Sequence, residues 1–141
     1  MTPTTDDTQN NKEIVREFTR VFKNEHRVDG IHHLFASDFQ HHFKPPVQPG
    51  LAGFKDIGRR MNTAFPDVVV IEEDMIAAGD KVVERSSAVA THRASLMGEQ
   101  PTNKQVRWTE IHIYRIRNGK IAEHWVEFAM LELLKQINAV N

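Results

Sequence analysis

The sequence predicts an α+β fold, with helices at the start of the chain and a mainly antiparallel sheet after them. Apolar residues recur at helical spacing as far as Phe65. From Val68 onward the chain changes to alternating, β-branched segments that turn residues separate. Asn118-Gly119 then joins two β-rich arms, which is the pattern typical of a hairpin.

The first half of the chain predicts three helices and one short strand. Residues 1–9 are polar and acidic, and we expect a disordered leader there, followed by a single domain over residues 10–141. Asn10 followed by Glu13 resembles a capping box and predicts a helix as far as Asn24. A short helix over Val28–Ala36, a brief strand over Phe39–Lys44 and a helix that ends at Pro66-Asp67 follow.

The second half predicts four strands and a closing helix. The strands cover Val68–Ala78, Lys81–His92 and the two arms of a hairpin over Gln105–Phe128, and the helix contains Met130 to Ile137. Strands of this length twist strongly, so we expect the sheet to curl around the helices. A curled sheet that faces helices leaves a concave pocket, and small ligands usually bind in such pockets.

The hairpin turn decides which side chains of its two arms share a face. A two-residue type I′ turn at Asn118-Gly119 would pair Ile116 with Ile121. His112 would then lie beside Trp125 and Glu127.

A type I turn with a bulge at Gly119 would instead pair Ile116 with Lys120. His112 would then join His124 and Val126. A slip of one residue moves all side chains of a strand to the other face, and the sequence leaves both registers open.

Composition and charge exclude several classes of function. A net charge of −1 predicts no attraction to nucleic acid or to an anionic membrane. The chain has no cysteine, which excludes disulfides and thiol nucleophiles, and its eight histidines show no metal-binding spacing, so we expect no metal. The N-terminus lacks the apolar run of a secretory signal and no segment is apolar enough for a membrane helix, so we expect a cytoplasmic protein.

The hairpin also carries the groups that could do chemistry. Glu110, His112 and Tyr114 form a polar row on one arm, and His124 and Glu127 lie on the other. Histidine titrates near neutral pH, which suits it to proton transfer. A buried glutamate beside an aromatic ring would have a raised pKa, as a general acid needs, and the two glutamates are candidates for that role.

Four large apolar residues can serve as core and as pocket walls at once. They are Phe22, Met61, Trp108 and Trp125. Core-like walls favour flat apolar ligands, so we expect a small apolar ligand or substrate in the pocket.

Several motifs, taken in order and spacing, resemble the SnoaL-like proteins, the polyketide-cyclase branch of the NTF2-like superfamily. They are D-F-Q-H-H (38–42), A-F-P-D (64–67), P-T-N-K-Q-V (101–106) and W-T-E-I-H-I-Y-R-I-R-N-G-K-I-A-E-H-W (108–125). The resemblance covers residues 11–137. It implies a cone-like α+β domain with a pocket between sheet and helices, a homodimer formed through the sheet, and neither metal nor organic cofactor.

The resemblance also implies where the chemistry would occur. The cyclases of this family close rings by intramolecular aldol reaction, with a carboxylate as general acid/base and histidines nearby. The family's histidine positions match His42 and His112, but its carboxylate position falls on Val126. Glu127 is adjacent, yet neighbouring strand residues point to opposite faces. If Val126 points inward, His124 does too.

Two functions of different classes follow. The first is an enzyme that performs acid/base chemistry, such as aldol cyclisation or isomerisation, on a small carbonyl-bearing compound, with His112 and His42 assisted by His124 or a glutamate. The second is a ligand-binding or regulatory module that has lost the chemistry, as Val126 suggests, because valine cannot exchange a proton.

Overall fold

The computed structural model describes residues 5–43 and 47–138, with three α-helices and five strands in these ranges. The helices are α1 (Thr5–Phe18), α2 (Gly50–Ala64) and α3 (Met130–Gln136). The strands are β1 (Phe35–His42), β2 (Val69–Ala78), β3 (Lys81–Thr91), β4 (Gln105–Arg117) and β5 (Lys120–Phe128). A π-helical segment over Thr19–Asn24 extends α1, and a 3₁₀ turn over His32–Leu34 precedes β1.

The five strands form one mixed sheet in the order β1-β5-β4-β3-β2. Every neighbouring pair is antiparallel except β1 and β5, which run parallel. The sheet curves and its concave face receives the helices, so the predicted α+β cone with a C-terminal helix is confirmed. No helix in the described part of the chain is long and apolar enough to cross a membrane.

The core is built on aromatic contacts between α1, α2 and the sheet. The Phe18 ring lies 5.0 Å from that of Phe22, 5.5 Å from Phe35 and 5.8 Å from Tyr114, measured between centroids. These rings are almost fully buried, and such pairs contribute about 0.5–1.5 kcal/mol each beyond their burial. The helices are therefore held firmly against the centre of the sheet.

The first helix begins earlier than its capping pattern predicted. It starts at Thr5 instead of Asn10, so residues 5–9 are helical, while residues 1–4 lie outside the described residues. Asp7 occupies its first turn, where negative charge offsets the partial positive charge of a helix N-terminus.

The predicted helix over Val28–Ala36 was wrong. Only the three residues of the 3₁₀ turn are helical, and Phe35 already begins β1. The parallel pairing of β1 with β5 and the burial of Phe35 against α1 override the local helical spacing. The strand ends at His42, and Lys44, which we placed in it, lies outside the described residues.

The hairpin combines features of both predicted registers. Asn118 and Gly119 both have positive φ, at 52° and 73°, and Ile116 pairs with Ile121, as in a type I′ turn. One residue later the register shifts, because Ala122 is an extra residue in β5.

The bulge at Ala122 reverses the facing of all later residues in β5. His112 consequently pairs with Val126, and Tyr114 pairs with His124. The turn is therefore the predicted type I′ turn, whereas His112 and His124 share a face, as predicted for the bulged turn.

A candidate active site in the concave face of the sheet

A cavity of about 390 Å³ lies between α2, the π-helical segment and the concave face of the sheet. Its walls are mainly aromatic and aliphatic, and include Phe22, Phe54, Met61, Phe65, Trp108 and Phe128. Four polar residues, from the π-helical segment, β4 and β5, meet at one part of the wall. They are Lys23, Glu110, His112 and His124. Asn62 and Glu127 also border the cavity, which therefore offers a largely apolar body with one cluster of polar groups, as expected of a small-molecule site.

Strand alternation aims one row of β4 into the concave side. Trp108, Glu110, His112 and Tyr114 are all buried, while the residues between them are exposed or half-buried. The first three border the cavity. Tyr114 lies deeper in the core, where its ring packs 5.0 Å from His124.

A continuous chain of hydrogen bonds links this row to β5. Trp108 Nε1 donates to Glu110 Oε2 at 2.7 Å, and Glu110 Oε1 lies 2.6 Å from His112 Nε2. His112 Nδ1 in turn lies 2.8 Å from His124 Nε2. His124 Nδ1 is buried and has no hydrogen-bond partner among the described residues.

These contacts assign the ring protons. A carboxylate only accepts, so His112 Nε2 carries a proton and donates to Glu110. In a neutral ring, His112 Nδ1 then accepts from the N–H of His124 Nε2. His124 Nδ1 is left with a free lone pair.

Burial and charge set the ionisation of the chain. Burial alone would raise the pKa of Glu110, but the ammonium of Lys23 and hydrogen bonds from His112 and Trp108 outweigh it and lower the pKa to about 2. Burial and Lys23 lower the pKa of His112, and burial and its neighbour His112 lower that of His124 well below 6.5. The site thus holds a carboxylate beside two neutral imidazoles, and the raised glutamate pKa that we expected was wrong for Glu110.

Lys23 lies between two buried carboxylates, those of Glu84 and Glu110. Lys23 Nζ is 3.5 Å from Glu84 Oε1 and 3.7 Å from Glu110 Oε1. Thr19 donates its hydroxyl to Glu84 Oε2 at 2.9 Å. Thr19 and Lys23 both belong to the π-helical segment, and such irregular turns are frequent at functional sites.

Most of the residues predicted for the pocket do border the cavity. Besides His112 and His124, they are Phe22, Met61, Trp108, Glu110 and Val126. Val126 takes the inward position opposite His112, so the position to which the resemblance assigned a carboxylate borders the cavity with an apolar side chain. Among the described residues, no group of three or more His, Asp or Glu could hold a metal ion.

The expected positions of His42 and Trp125 need correction. These two residues pair with each other on the outer face of the sheet, where their rings stack at 5.0 Å. His42 Nε2 also bonds Glu123 at 2.7 Å, and neither ring borders the cavity. The inward member of the histidine pair in β1 is His41, which pairs with His124.

Glu127 and Tyr114 also differ from expectation. Glu127 is exposed and takes the outward position opposite Ile111, although part of it borders the mouth of the cavity. Tyr114 is fully buried below the cavity and does not border it. His92, the residue after β3, is buried and accepts a hydrogen bond from the N–H of Thr102.

Sequence reasoning missed Lys23 and Glu84. Alternation in β3 was a usable signal, because an inward row that contains Val82 and Ala88 must also contain Glu84. No comparable signal existed for Lys23, because the π-helical segment changes the spacing on which helical periodicity relies.

The chain belongs to the SnoaL-like polyketide cyclase family, whose model matches residues 12–137. A comparison with curated proteins found no match. Among solved structures, AclR from Streptomyces galilaeus, a candidate hydroxylase, is 26% identical with a TM-score of 0.86, over 95% of this chain and 99% of its own.

Two further solved structures are candidate polyketide cyclases. IdmH from Streptomyces antibioticus is 26% identical with a TM-score of 0.80, over 91% of this chain and 98% of its own. The protein from Acidithiobacillus ferrooxidans is 24% identical with a TM-score of 0.82, over 94% of this chain and 96% of its own, and at that identity it supports the fold alone.

Proposed function

We propose that this protein is an enzyme that moves protons on a small, flat, carbonyl-bearing compound, with aldol-type ring closure as its reaction. The observation that carries the proposal is the Glu110–His112–His124 chain at the polar end of an apolar cavity. Membership of the cyclase family and the likeness to IdmH support the same reaction class.

The two imidazoles act together as the base. His124 borders the cavity and its Nδ1 has a free lone pair, but this atom is buried, so the ring turns towards the substrate before it takes a proton from the carbon next to the carbonyl and leaves an enolate. The positive charge spreads over the His112–His124 pair and is stabilised by Glu110, 2.6 Å from His112. The enolate carbon then bonds to a second carbonyl carbon, and the new alkoxide takes the proton back.

Glu110 replaces the missing family carboxylate in this mechanism. It lies on the strand beside Val126, on the same concave face. Its low pKa, about 2, suits a permanent negative charge that stabilises a cationic histidine, and does not suit a general acid. The acid/base role therefore passes to the histidines.

Proton exchange on a simple ketone tests the proposal. We expect the protein to accelerate exchange of the α-hydrogens of 1-tetralone in D₂O, followed by NMR. His112→Gln and Glu110→Gln should each lower the rate by about 10²–10⁴-fold, the usual size of an acid/base contribution. His42→Ala is the matched control, because this histidine lies on the outer face, and it should leave the rate unchanged. Equal exchange with the natural protein and His112→Gln would refute the mechanism.

The inward Val126 favours a second candidate, a binding module that retains the cavity without turnover. Such a protein would bind 1-tetralone yet leave its exchange rate at the level of the solvent. Val126→Asp separates the two candidates. A gain of exchange in this variant alone would indicate a site that has lost its family carboxylate and with it the reaction.

We also propose that two copies pair through the outer face of the sheet. Val69, Ile71 and Ile111 lie there with 44–48% of their surfaces exposed. Val69 and Ile71 lie on β2 and Ile111 lies on β4, on either side of β3, whose outward residues between them include Val89, Ser87 and Arg85. Exposed apolar residues that share one face of a sheet are candidates for an association surface.

A further inference from the structure

Lys23 is the only cationic side chain that borders the cavity among the described residues. Its side chain is 12% exposed, and its ammonium meets the polar end formed by Glu110 and His112. A charge so deeply buried in an apolar wall is costly unless it is paired or used. Its position on the cavity wall makes Lys23 a candidate for ligand binding.

The three N–H groups of Lys23 are incompletely used. Its distances to Glu84 Oε1 and Glu110 Oε1, 3.5 Å and 3.7 Å, exceed the 2.7–3.2 Å of good N–H···O bonds. His112 Nε2 is nearer, at 3.0 Å, but that nitrogen carries the proton it donates to Glu110 and cannot accept. The ammonium therefore has donor capacity left for an oxygen inside the cavity.

Glu84 keeps this ammonium in place. Its carboxylate is fully buried on β3 and receives the Thr19 hydroxyl at 2.9 and 3.2 Å. Thr19 and Lys23 lie four residues apart in the π-helical segment, so both reach the same carboxylate. Glu84 has no direct access to the cavity, since it does not border it.

We propose that Lys23 binds the substrate oxygen on which negative charge develops, with Glu84 as the residue that positions it. The ligand class is a flat apolar molecule with a carbonyl or enol oxygen at one end. The inference deepens the proposed function, because the enolate and alkoxide oxygens of that reaction need such a donor. Lys23 forms no covalent bond, and its protons are shared but not lost.

Ionisation of a coloured phenol tests the role of Lys23 without any turnover. 4-Nitrophenol becomes yellow when it ionises, and its anion has the oxygen charge of an enolate. We would saturate the protein with this probe and follow its absorbance against pH. In Lys23→Met the bound probe should ionise at a pH about one to two units higher than in the natural protein, because a charge-assisted bond in a buried site changes an equilibrium by about 10–100-fold.

Three controls isolate the ammonium. Lys23→Arg retains the charge and should restore most of the shift. Arg20→Met removes a charge from the same helical segment, but its side chain is 59% exposed and should change nothing. 4-Nitroanisole has the same apolar body and cannot ionise, so its affinity should be equal in the natural protein and in Lys23→Met.

Glu84→Gln tests whether Glu84 positions Lys23, and combined with Lys23→Met it provides a safeguard against misfolding. In the Glu84→Gln variant, bound 4-nitrophenol should ionise at a pH between the values for the natural protein and for Lys23→Met. The affinity for 4-nitroanisole should be unchanged. If Lys23→Met fails to fold because two carboxylates lose their counter-charge, the double variant Lys23→Met/Glu84→Gln replaces it.

The outcomes are distinguishable from failure of the enzyme proposal. A probe that ionises at the same pH in the natural protein and in Lys23→Met overturns the inference, even if ketone exchange is catalysed. If Lys23→Met loses affinity for 4-nitrophenol and 4-nitroanisole equally, Lys23 has a structural role only, and the inference is overturned. Failure of the natural protein to bind either probe rejects the ligand class. A Lys23-dependent shift without exchange supports the inference and argues against the enzyme.

Discussion

His112 and His124 share a hydrogen bond of 2.8 Å across the β4–β5 pair, and only the bulge at Ala122 makes this contact. If β5 continued from Ile121 in regular alternation without a bulge, His124 would lie on the outer face and Trp125 on the inner one. A local irregularity of one residue thus decides whether the cavity holds a coupled pair of imidazoles or an indole.

Burial of this pair predicts a pH-dependent stability. The pKa of His124 lies well below its ordinary 6.5 in the folded protein, so the unfolded chain binds this proton first as the pH falls. The stabilisation is complete above pH 6.5 and is lost progressively below it. His124→Phe should remove this loss, which amounts to at most about 1.4 kcal/mol per pH unit.

Urea unfolding of the natural protein and His124→Phe from pH 7.5 to pH 5 checks this. Over this range the free energy of unfolding of the natural protein should fall by more than that of His124→Phe. His33→Phe is the control, because this histidine is exposed on the surface. Curves for His124→Phe that run parallel to those of the natural protein would contradict the prediction.

The architecture was predictable because its signals are local and repeated. Alternation and turn residues located β2, β3 and the hairpin to within about one residue, and family motifs supplied the cone. The helix predicted over Val28–Ala36 was wrong because the apolar Phe35 fits the pattern of a buried helix position and of a buried strand position equally well. Only its contact with Phe18 selects the strand.

The site was predictable only in part, because it depends on irregularities. His112 and Glu110 follow from simple alternation in β4. His124 required the bulge, and Lys23 required a π-helical segment, neither of which has a reliable pattern. His42 was misplaced because one register step in β1 exchanges it for His41.

Tyr114→Phe should stabilise the protein. The Tyr114 hydroxyl is fully buried and lacks a hydrogen-bond partner among the described residues, while its ring packs against Phe18 and His124. Phenylalanine keeps the ring and removes the unsatisfied group, whose burial costs about 1–3 kcal/mol. We expect the free energy of unfolding to rise by about 1 kcal/mol, measured in urea. A fall of similar size would reveal a bound water that pairs with the hydroxyl.

Gly58→Ala should destabilise the protein although alanine favours helices. A Cβ at this position in α2 would lie 2.3 Å from Phe22 Cζ. The Phe22 ring cannot move freely, because it stacks at 5.0 Å on Phe18 and lies 5.4 Å from Phe54. Overpacking of about 1–3 kcal/mol should outweigh the gain of about 1 kcal/mol in helix propensity.

The same variant should also change ligand binding, because Gly58 and Phe22 border the cavity. We expect a lower Tm and a weaker affinity for 4-nitroanisole. Thr63→Ala, at an exposed site of the same helix, is the control and should alter neither value by much. Unchanged stability of Gly58→Ala would mean that the Phe22 ring yields more easily than its packing indicates.

Ile111→Glu should separate the proposed dimer. Ile111 lies on the outer face with 44% of its surface exposed, across β3 from Ile71 at 48%, and a carboxylate there would lose its water on association. Sedimentation should give a dimer for the natural protein and a monomer for the variant. Val47→Glu, at an exposed apolar residue in the loop before α2, should remain dimeric. Because Ile111 points away from the cavity, the monomer should still bind 4-nitroanisole, and a loss of binding with dissociation would show that the second copy supports the site.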